Sequence, residues 1–316
     1  MYKTYLLKLK PLSSYMTLWQ SDTIYGHLLW AIFFIYGEEE LKKVIDEFKN
    51  SNPPFIISDG FIGDKLPLIE KEIISNDLVE YLVKKYKKSY HEVAIELKKI
   101  KNIKEVSLKE FNQLRKEDYS NIEWLEEKLF SKKEDRQEKN NIISIENIHN
   151  RINRITNTTK ENGLFSTIEY FTNENIYIYI KLKDCYDEKR FFSLIKYMEE
   201  TGFGKKKSIG KGSFKIESFE KFDGFEDIKG NGFITLSNYI PKEFDYDTTI
   251  KSLPLVKNGK VGIGSNPFKK TFSCFKAGSL FKGGENRTKG KILTEIHENK
   301  DIIQIGIPFI LEVEIW

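Results

Sequence analysis

The chain has 316 residues, 40% of them apolar, which is enough for one large or two ordinary globular units with true cores. Its 51 Lys and Arg against 47 Asp and Glu leave a formal charge of +4, which excludes a uniformly basic nucleic-acid coat, so any nucleic-acid site has to be local. Cys185 and Cys274 lie far apart without CxxC spacing or a histidine cluster, so neither a disulfide framework nor a metal site is expected, and no cofactor motif is found.

The opening "MYKTYLLKLK" alternates like a strand and lacks the uninterrupted apolar core of a secretory signal, so a cytoplasmic chain is expected. "SDTIYGHLLWAIFFIYG" follows as a helix with Ser21 as N-cap and Gly37 beyond its end. Its apolar run Leu28 to Tyr36 is about half the length of a membrane span and reads as a buried helix. A second helix runs to Asn50, and "PPFIISDGFI" is strand-like. From Asn76 to about Ile100 the pattern is helical and charged, and "SLKEFNQLRK" and "IEWLEEKLF" are shorter helical pieces. Ser131 to Asn141 is almost devoid of apolar residues and reads as a mobile loop.

"IISIENIHNRINRIT" and "GLFSTIEYFT" read as two strands joined by a polar turn, and "NIYIYIKL" as a third. A helix, "DEKRFFSLIKYMEET", precedes "GFGKKKSIGKG", and "GSFKIESF" is the strand after it. The order strand, helix, strands, helix, strand fits a βαββαβ unit better than a doubly wound sheet. From about Phe222 the pattern is short strands with few helical signals. The expected fold class is therefore α+β with two ferredoxin-like (RRM-like) domains. Residues 1–221 carry helical and β-hairpin insertions and the glycine-rich loop, and residues 222–316 form a strand-rich second domain.

The loop from Gly202 to Gly212 holds four glycines and four lysines. Walker A spacing is excluded, because five residues separate Gly204 from Gly210 and Lys211 is followed by Gly212. The direction is also wrong, since phosphate loops of that kind run from strand to helix. Gly202, Gly204, Gly210 and Gly212 still permit close backbone approach to a phosphodiester, with charge from Lys205, Lys206, Lys207 and Lys211 and a hydroxyl from Ser208. A solvated basic turn explains the same residues equally well.

With its sequel "GSFKI", this loop resembles the glycine-rich loop of the RAMP superfamily of CRISPR proteins. "SDTIYGHLLWAI", "PPFIISDGF", "IHNRINRITNTTKENGLF", "TGFGKKKSIGKGSF" and "LPLVKNGKVGIG…FKKTFSCFKAGSLF" resemble, in this order and over nearly the whole chain, the fourth subunit of type III-A Csm effector complexes. Lys205 and Lys206 depart from that pattern, standing where a glycine and an acidic residue are expected. The resemblance implies a non-catalytic subunit that grips the 5′ handle of the crRNA, caps the row of backbone RAMP subunits and docks on the large polymerase-like subunit. A β-hairpin thumb would meet target RNA near the guide 5′ end. No membrane partner is implied.

Further candidates for RNA contact are Ser21 and Thr23 at the first helix, whose amides and hydroxyls favour phosphate or simply cap the helix. In "HNRINRIT", His149, Arg151 and Arg154 are candidates; in an extended strand Arg154 falls on the face opposite the other two. Lys269 and Lys270 are weaker candidates in the second domain. His27 supports a rival reading, a metal-independent RAMP endoribonuclease with a histidine acid or base, although it shares a helical stripe with Trp30, Ala31 and Phe34 and so also fits a packed residue. A third reading is a protein-interaction subunit whose basic loop meets an acidic partner.

Overall fold

The computed structural model describes residues 1–71, 76–117, 120–130, 142–243, 246–262, 266–283 and 290–315; the stretch from Ser131 to Asn141 lies outside them. The first part of the chain contains β1 (Tyr2–Pro11), α1 (Ser21–Tyr36), α2 (Glu38–Lys49), β2 (Phe55–Ile62) and β3 (Lys65–Pro67). An inserted stretch follows, with α3 (Asn76–Tyr86), α4 (Tyr90–Lys101), β4 (Glu105–Ser107), α5 (Leu108–Leu114), α6 (Asn121–Phe130), β5 (Ile143–Asn153) and β6 (Thr158–Phe171). The first unit closes with β7 (Ile176–Lys183), α7 (Glu188–Thr201) and β8 (Phe214–Lys221). Beyond it come β9 (Gly232–Thr235), β10 (Thr249–Lys251), β11 (Pro254–Lys257), β12 (Phe272–Phe275), β13 (Leu280–Lys282), β14 (Lys291–Leu293), β15 (Gln304–Gly306) and β16 (Ile310–Val313).

The first sheet has the order β2-β7-β1-β8, every neighbour antiparallel. Numbering only its own strands, this is 2-3-1-4, the order in which two crossover helices lie on one face. Period-two burial follows: Tyr5, Leu7 and Leu9 of β1 and Ile176, Ile178, Ile180 and Leu182 of β7 pack under α1, α2 and α7. Leu6 and Tyr179 point to the opposite face.

The second sheet has the order β10-β13-β9-β16, again antiparallel throughout and again 2-3-1-4 in its own numbering. Among the described residues beyond Lys221 there is no α-helix, only a short 3-10 turn at Tyr246–Thr248. Helices come instead from the insertion. Leu82 of α3, Leu97 of α4, Phe111 of α5 and Trp124 of α6 share one core with Ile234, Leu280, Phe309, Leu311 and Val313, and with Leu6 and Tyr179 of the first sheet. Buried cations stitch the same junction. Lys181 of β7 donates to the Ile310 carbonyl at 2.8 Å, and burial pulls its pKa down to about 8. Arg115, 2% exposed, donates to the carbonyls of Glu312 and Glu226, and burial lowers it to about 10.

One local expectation is made more specific and one is corrected. The run from Asn76 to Ile100 is two helices, broken where Lys87 turns to φ +51° and Ser89 opens α4 with a capping box to Glu92. The N-cap of α1 is Gln20, one residue earlier than the sequence suggests, because Ser21 already has helical backbone and its N–H is capped by the Asp59 carboxylate at 2.7 Å.

Because the inserted helices and both sheets share a core, Phe309→Ala is expected to lower stability by about 3–5 kcal/mol. Urea unfolding should show one transition at a reduced midpoint. Two transitions, only one of them shifted, would show the sheets to be energetically independent.

Candidate nucleic-acid interface

α7 stops at Gly202, which has φ +77° and returns its N–H to the Met198 carbonyl. Phe203 then turns inward. It is fully buried and lies flat on Trp19, with centroids 3.9 Å apart and 6° between planes. Both ends of the loop are pinned by backbone bonds: the Gly204 N–H donates to His27 Nε2 at 3.0 Å, Lys205 N–H to Thr17 Oγ1 at 3.1 Å, and Gly212 N–H to the Ser14 carbonyl at 2.8 Å. The glycines at these points leave no room for a side chain. A Cβ on Gly212 would lie 1.9 Å from the Phe203 carbonyl oxygen, and one on Gly204 would lie 2.6 Å from Thr17 Cβ.

Between the pins, Lys206 adopts the left-handed region at φ +61°, Lys207–Ile209 form a 3-10 turn, and Gly210 has φ +83°. The N–H groups of Ile209, Gly210 and Lys211 are used inside the turn. Those of Lys206, Lys207 and Ser208 make no hydrogen bond among the described residues. Three successive undonated amides beginning at a left-handed residue are the backbone arrangement that suits an anion, and the neighbouring side chains of Lys205, Lys206 and Lys207 are exposed. Lys211 is used differently. Its amine binds Glu169 Oε2 at 2.6 Å and Ser14 Oγ at 2.9 Å, tying the loop to strand β6. Hydrogen bonds from Lys211 and Ser14 hold the Glu169 carboxyl below its usual range.

β5 and β6 form a long hairpin outside both sheets, rooted where Tyr15 and Tyr170 exchange backbone bonds. Cross-strand pairing puts Glu169, Phe165 and His149 on one face, with Arg151 reaching the same ring. His149 stacks on Phe165 at 5.1 Å and bonds Thr167 Oγ1 through Nε2, while the Arg151 guanidinium sits 5.3 Å from the Phe165 centroid. Arg154 belongs to the four-residue turn rather than to the strand, and a register shift between Asn150 and Ile152 breaks the simple alternation expected from sequence. The opposite face is mixed, with Ile148, Leu164 and Ile168 exposed among Glu146, Asn150 and Ser166.

The remaining candidates other than Lys270 are engaged by the protein itself. Ser21 is buried, and its Oγ accepts the Asn238 N–H from the second unit at 3.0 Å. Asp22 is neutralised by Lys257 at 2.5 Å, and the Thr23 N–H returns to the Gln20 carbonyl. Burial raises the adjoining Asp59 to about 6, offset in part by the Ser21 hydrogen bonds. Lys269 turns inward to the Ile303 carbonyl and Gln304, its pKa drawn down to about 8 by burial, whereas Lys270 is exposed. His27, packed on Phe203, is pulled down to about 4 by burial and then by Lys207. Its Nε2 lone pair is occupied by the Gly204 N–H, so its role in this geometry is to hold the loop. Sequence reasoning missed Ser14, Thr17, Trp19 and Glu169 as loop supports; the one available signal was Phe203, an aromatic residue between two glycines of a polar loop.

No family model matches the chain, and no curated protein matches it in sequence. Solved structures do. A chain in the crystal structure of a Csm1–Csm4 cassette in complex with cA4 superposes with a TM-score of 0.62 at 16% identity, covering 99% of this chain and 98% of that one. The cassette in complex with pppApA gives 0.60 at 16% identity with the same coverage. A Csm3–Csm4 subcomplex of the type III-A CRISPR-Cas interference complex gives 0.59 at 15% identity, covering 99% of both chains. The fold of this chain, end to end, is one found in type III-A Csm assemblies.

Two outcomes test the loop's construction. Gly212→Ala is expected to cost about 2 kcal/mol or more through overlap and left-handed strain, whereas Gly210→Ala, with open space around it, should cost only about 1 kcal/mol; thermal unfolding compares the two. His27 has a folded pKa near 4, below its unfolded value, so its contribution is complete above about pH 6.5 and is lost as pH falls toward 4. The loss is on the order of 3 kcal/mol at most. Asp59 works in the opposite sense, losing stability as pH rises from about 4 to about 6, and is common to wild type and variant. His27→Gln, which retains an acceptor, should therefore remove the His27 part of the profile, and equal profiles would show the histidine not to be held neutral.

Proposed function

We propose that this protein is the Csm4-like RAMP subunit of a type III-A CRISPR effector complex, a cytoplasmic, non-catalytic scaffold in antiviral defence that holds the crRNA 5′ handle. The observation that carries this reading is the set of undonated amides at Lys206, Lys207 and Ser208, beside three lysine side chains that make no ion pair among the described residues. Amides and lysines at that density suit phosphodiester oxygens, and they position a strand without reading its bases. The hairpin face bearing His149, Phe165 and Arg151 lies on the same side as Glu169, so the Lys211–Glu169 pair joins the loop to a second cationic, aromatic surface. Arginine and stacked rings there fit the target RNA where it pairs with the start of the guide.

Assembly with a large polymerase-like subunit and with backbone RAMP subunits is part of this reading, supported by the fold shared with chains of the Csm1–Csm4 and Csm3–Csm4 structures. Both sheets carry the 2-3-1-4 order, which supports two ferredoxin-like units divided near Lys221, the second having exchanged its helices for those of the insertion. A scaffold rather than an endoribonuclease is favoured because the one histidine beside the loop has its Nε2 engaged and low basicity.

The test compares labelled crRNA bearing its native 5′ handle with a scrambled-handle control, at fixed near-physiological salt, with the samples also run on a denaturing gel. Tighter binding of the native handle with intact RNA is expected. Changing Lys205, Lys206 and Lys207 together to Ala should flatten the dependence of log K on log salt by about 2, as three lost phosphate contacts on a single strand require. Equal weak binding of both RNAs, or cleavage that disappears in His27→Ala, would overturn the reading.

A further inference from the structure

The second unit sends its own basic, aromatic hairpin to the same turn of α1. Beyond the β11–β12 ladder the two arms stay paired after a one-residue register shift: Lys260 pairs with Phe268, the Val261 N–H donates to the Pro267 carbonyl at 2.7 Å, and Lys269 N–H to the Gly259 carbonyl at 2.9 Å. Gly262 on this extension meets α1, where a Cβ on the glycine would lie 3.4 Å from Trp30 Nε1. Trp30 stands three residues after His27, the residue that holds Gly204. Three residues of helix rise about 4.5 Å, so the glycine-rich loop of one unit and the hairpin of the other converge within one turn.

What the hairpin carries there matches what the loop carries. Phe268 is 59% exposed, and the Lys260 amine lies 4.8 Å from its ring centroid. Lys270 is exposed while Lys269 turns inward, and Asp22 beneath the hairpin is already neutralised by Lys257. Along α1 the aromatic ridge continues from Trp30 to Phe34, which stacks on Trp30 at 5.7 Å and on Tyr197 at 5.9 Å and is 51% exposed. Exposed rings interleaved with amines that make no ion pair among the described residues, on the helix that also anchors the glycine-rich loop, have the make-up of a single-strand nucleic-acid track; a protein-docking face is expected to be depleted of lysine at its centre.

We propose that the paired arms bearing Lys260 and Phe268 are a second grip on the single-stranded RNA held by the glycine-rich loop: Phe268 stacks one base, and Lys260 and Lys270 neutralise phosphates as the strand passes over Trp30. This rests on the RNA-binding reading above. The full-length chain is titrated with handle RNA carrying 2-aminopurine at successive positions. One position should be quenched on binding; Phe268→Ala should restore its fluorescence and weaken binding about tenfold with the salt slope unchanged. Lys260→Ala with Lys270→Ala should flatten the slope by about 1.4 and leave the quench in place.

The failures are distinguishable. If the Lys205–Lys207 variant loses affinity while Phe268→Ala and the lysine pair bind and quench like wild type, the second grip is overturned and the scaffold reading stands. If Phe268→Ala leaves RNA binding unchanged but weakens retention of a Csm partner subunit, the hairpin is a protein contact and the proposal falls. If wild type binds no RNA, both readings fall together.

Discussion

Phe203 lying flat against Trp19 is the contact on which the basic loop depends. A loop of four glycines and four lysines has large chain entropy and strong internal repulsion, and nothing in its lysines favours a single conformation. Burying one phenyl ring among core aromatics supplies about 2–3 kcal/mol of apolar transfer, the local term that offsets this entropy. Trp19 is held in turn: its Cβ fills the space beside Gly60, whose N–H donates to the Trp19 carbonyl. From that anchor the Phe203 N–H donates to the Gly212 carbonyl at 2.9 Å, His27 fixes Gly204, and the amides of Lys206, Lys207 and Ser208, in an exposed stretch, are left without a partner among the described residues. Pre-organisation of this kind spares a ligand the cost of ordering the loop.

The seam between the two units obeys a harsher rule. Asp59, Asp22, Lys257 and Ser21 sit together where α1 begins, and buried charges stabilise only when their partners are complete. Here Asp22 has Lys257 and Asn238, and Asp59 has the Ser21 amide, so both carboxylates are partnered within the protein, while the Asn238 Oδ1 beside them has no hydrogen-bond partner among the described residues. That closure also explains why the start of α1, which sequence alone offers as a phosphate site, is already filled by carboxylates. The same helix contributes to the interface one turn further on, through His27 and Trp30.

Much of this was legible. The βαββαβ order is written in period-two strands flanking helices with clear termini, and Gly37 and Gly202 mark the helix ends. The basic loop is visible as composition, and His149 with Arg151 as a cationic pair near an aromatic strand. Tertiary partners were not. Whether Lys211 faces solvent or Glu169, 42 residues away, is set by how the hairpin root meets β1, and no local pattern encodes it. Lys269 and Lys270 are adjacent and alike in sequence, yet strand alternation sends one inward to the Ile303 carbonyl and leaves the other exposed. The helices of the second sheet escaped for the same reason, since they lie well over a hundred residues before the strands they cover.

The repeated 2-3-1-4 order explains why the interface lies where it does. In each sheet the connection leading into the fourth strand emerges next to the first strand, because those two are neighbours. In the first unit that connection is the glycine-rich loop, bonded directly to the residues following β1 at Ser14 and Thr17. In the second unit the corresponding stretch before β16 contains β15, and Ile303, Ile305 and Ile307 from it pack into the core beneath α1. The second unit therefore uses its fourth connection as a wedge that fixes α1, and its β11–β12 hairpin then meets the exposed side of the same helix. A strand-rich unit with no α-helix among its described residues can in this way position a basic hairpin against a helix it does not contain. On the proposed reading, the basic surface comes from this convergence of loop and hairpin, which is compatible with a chain whose net charge is only +4.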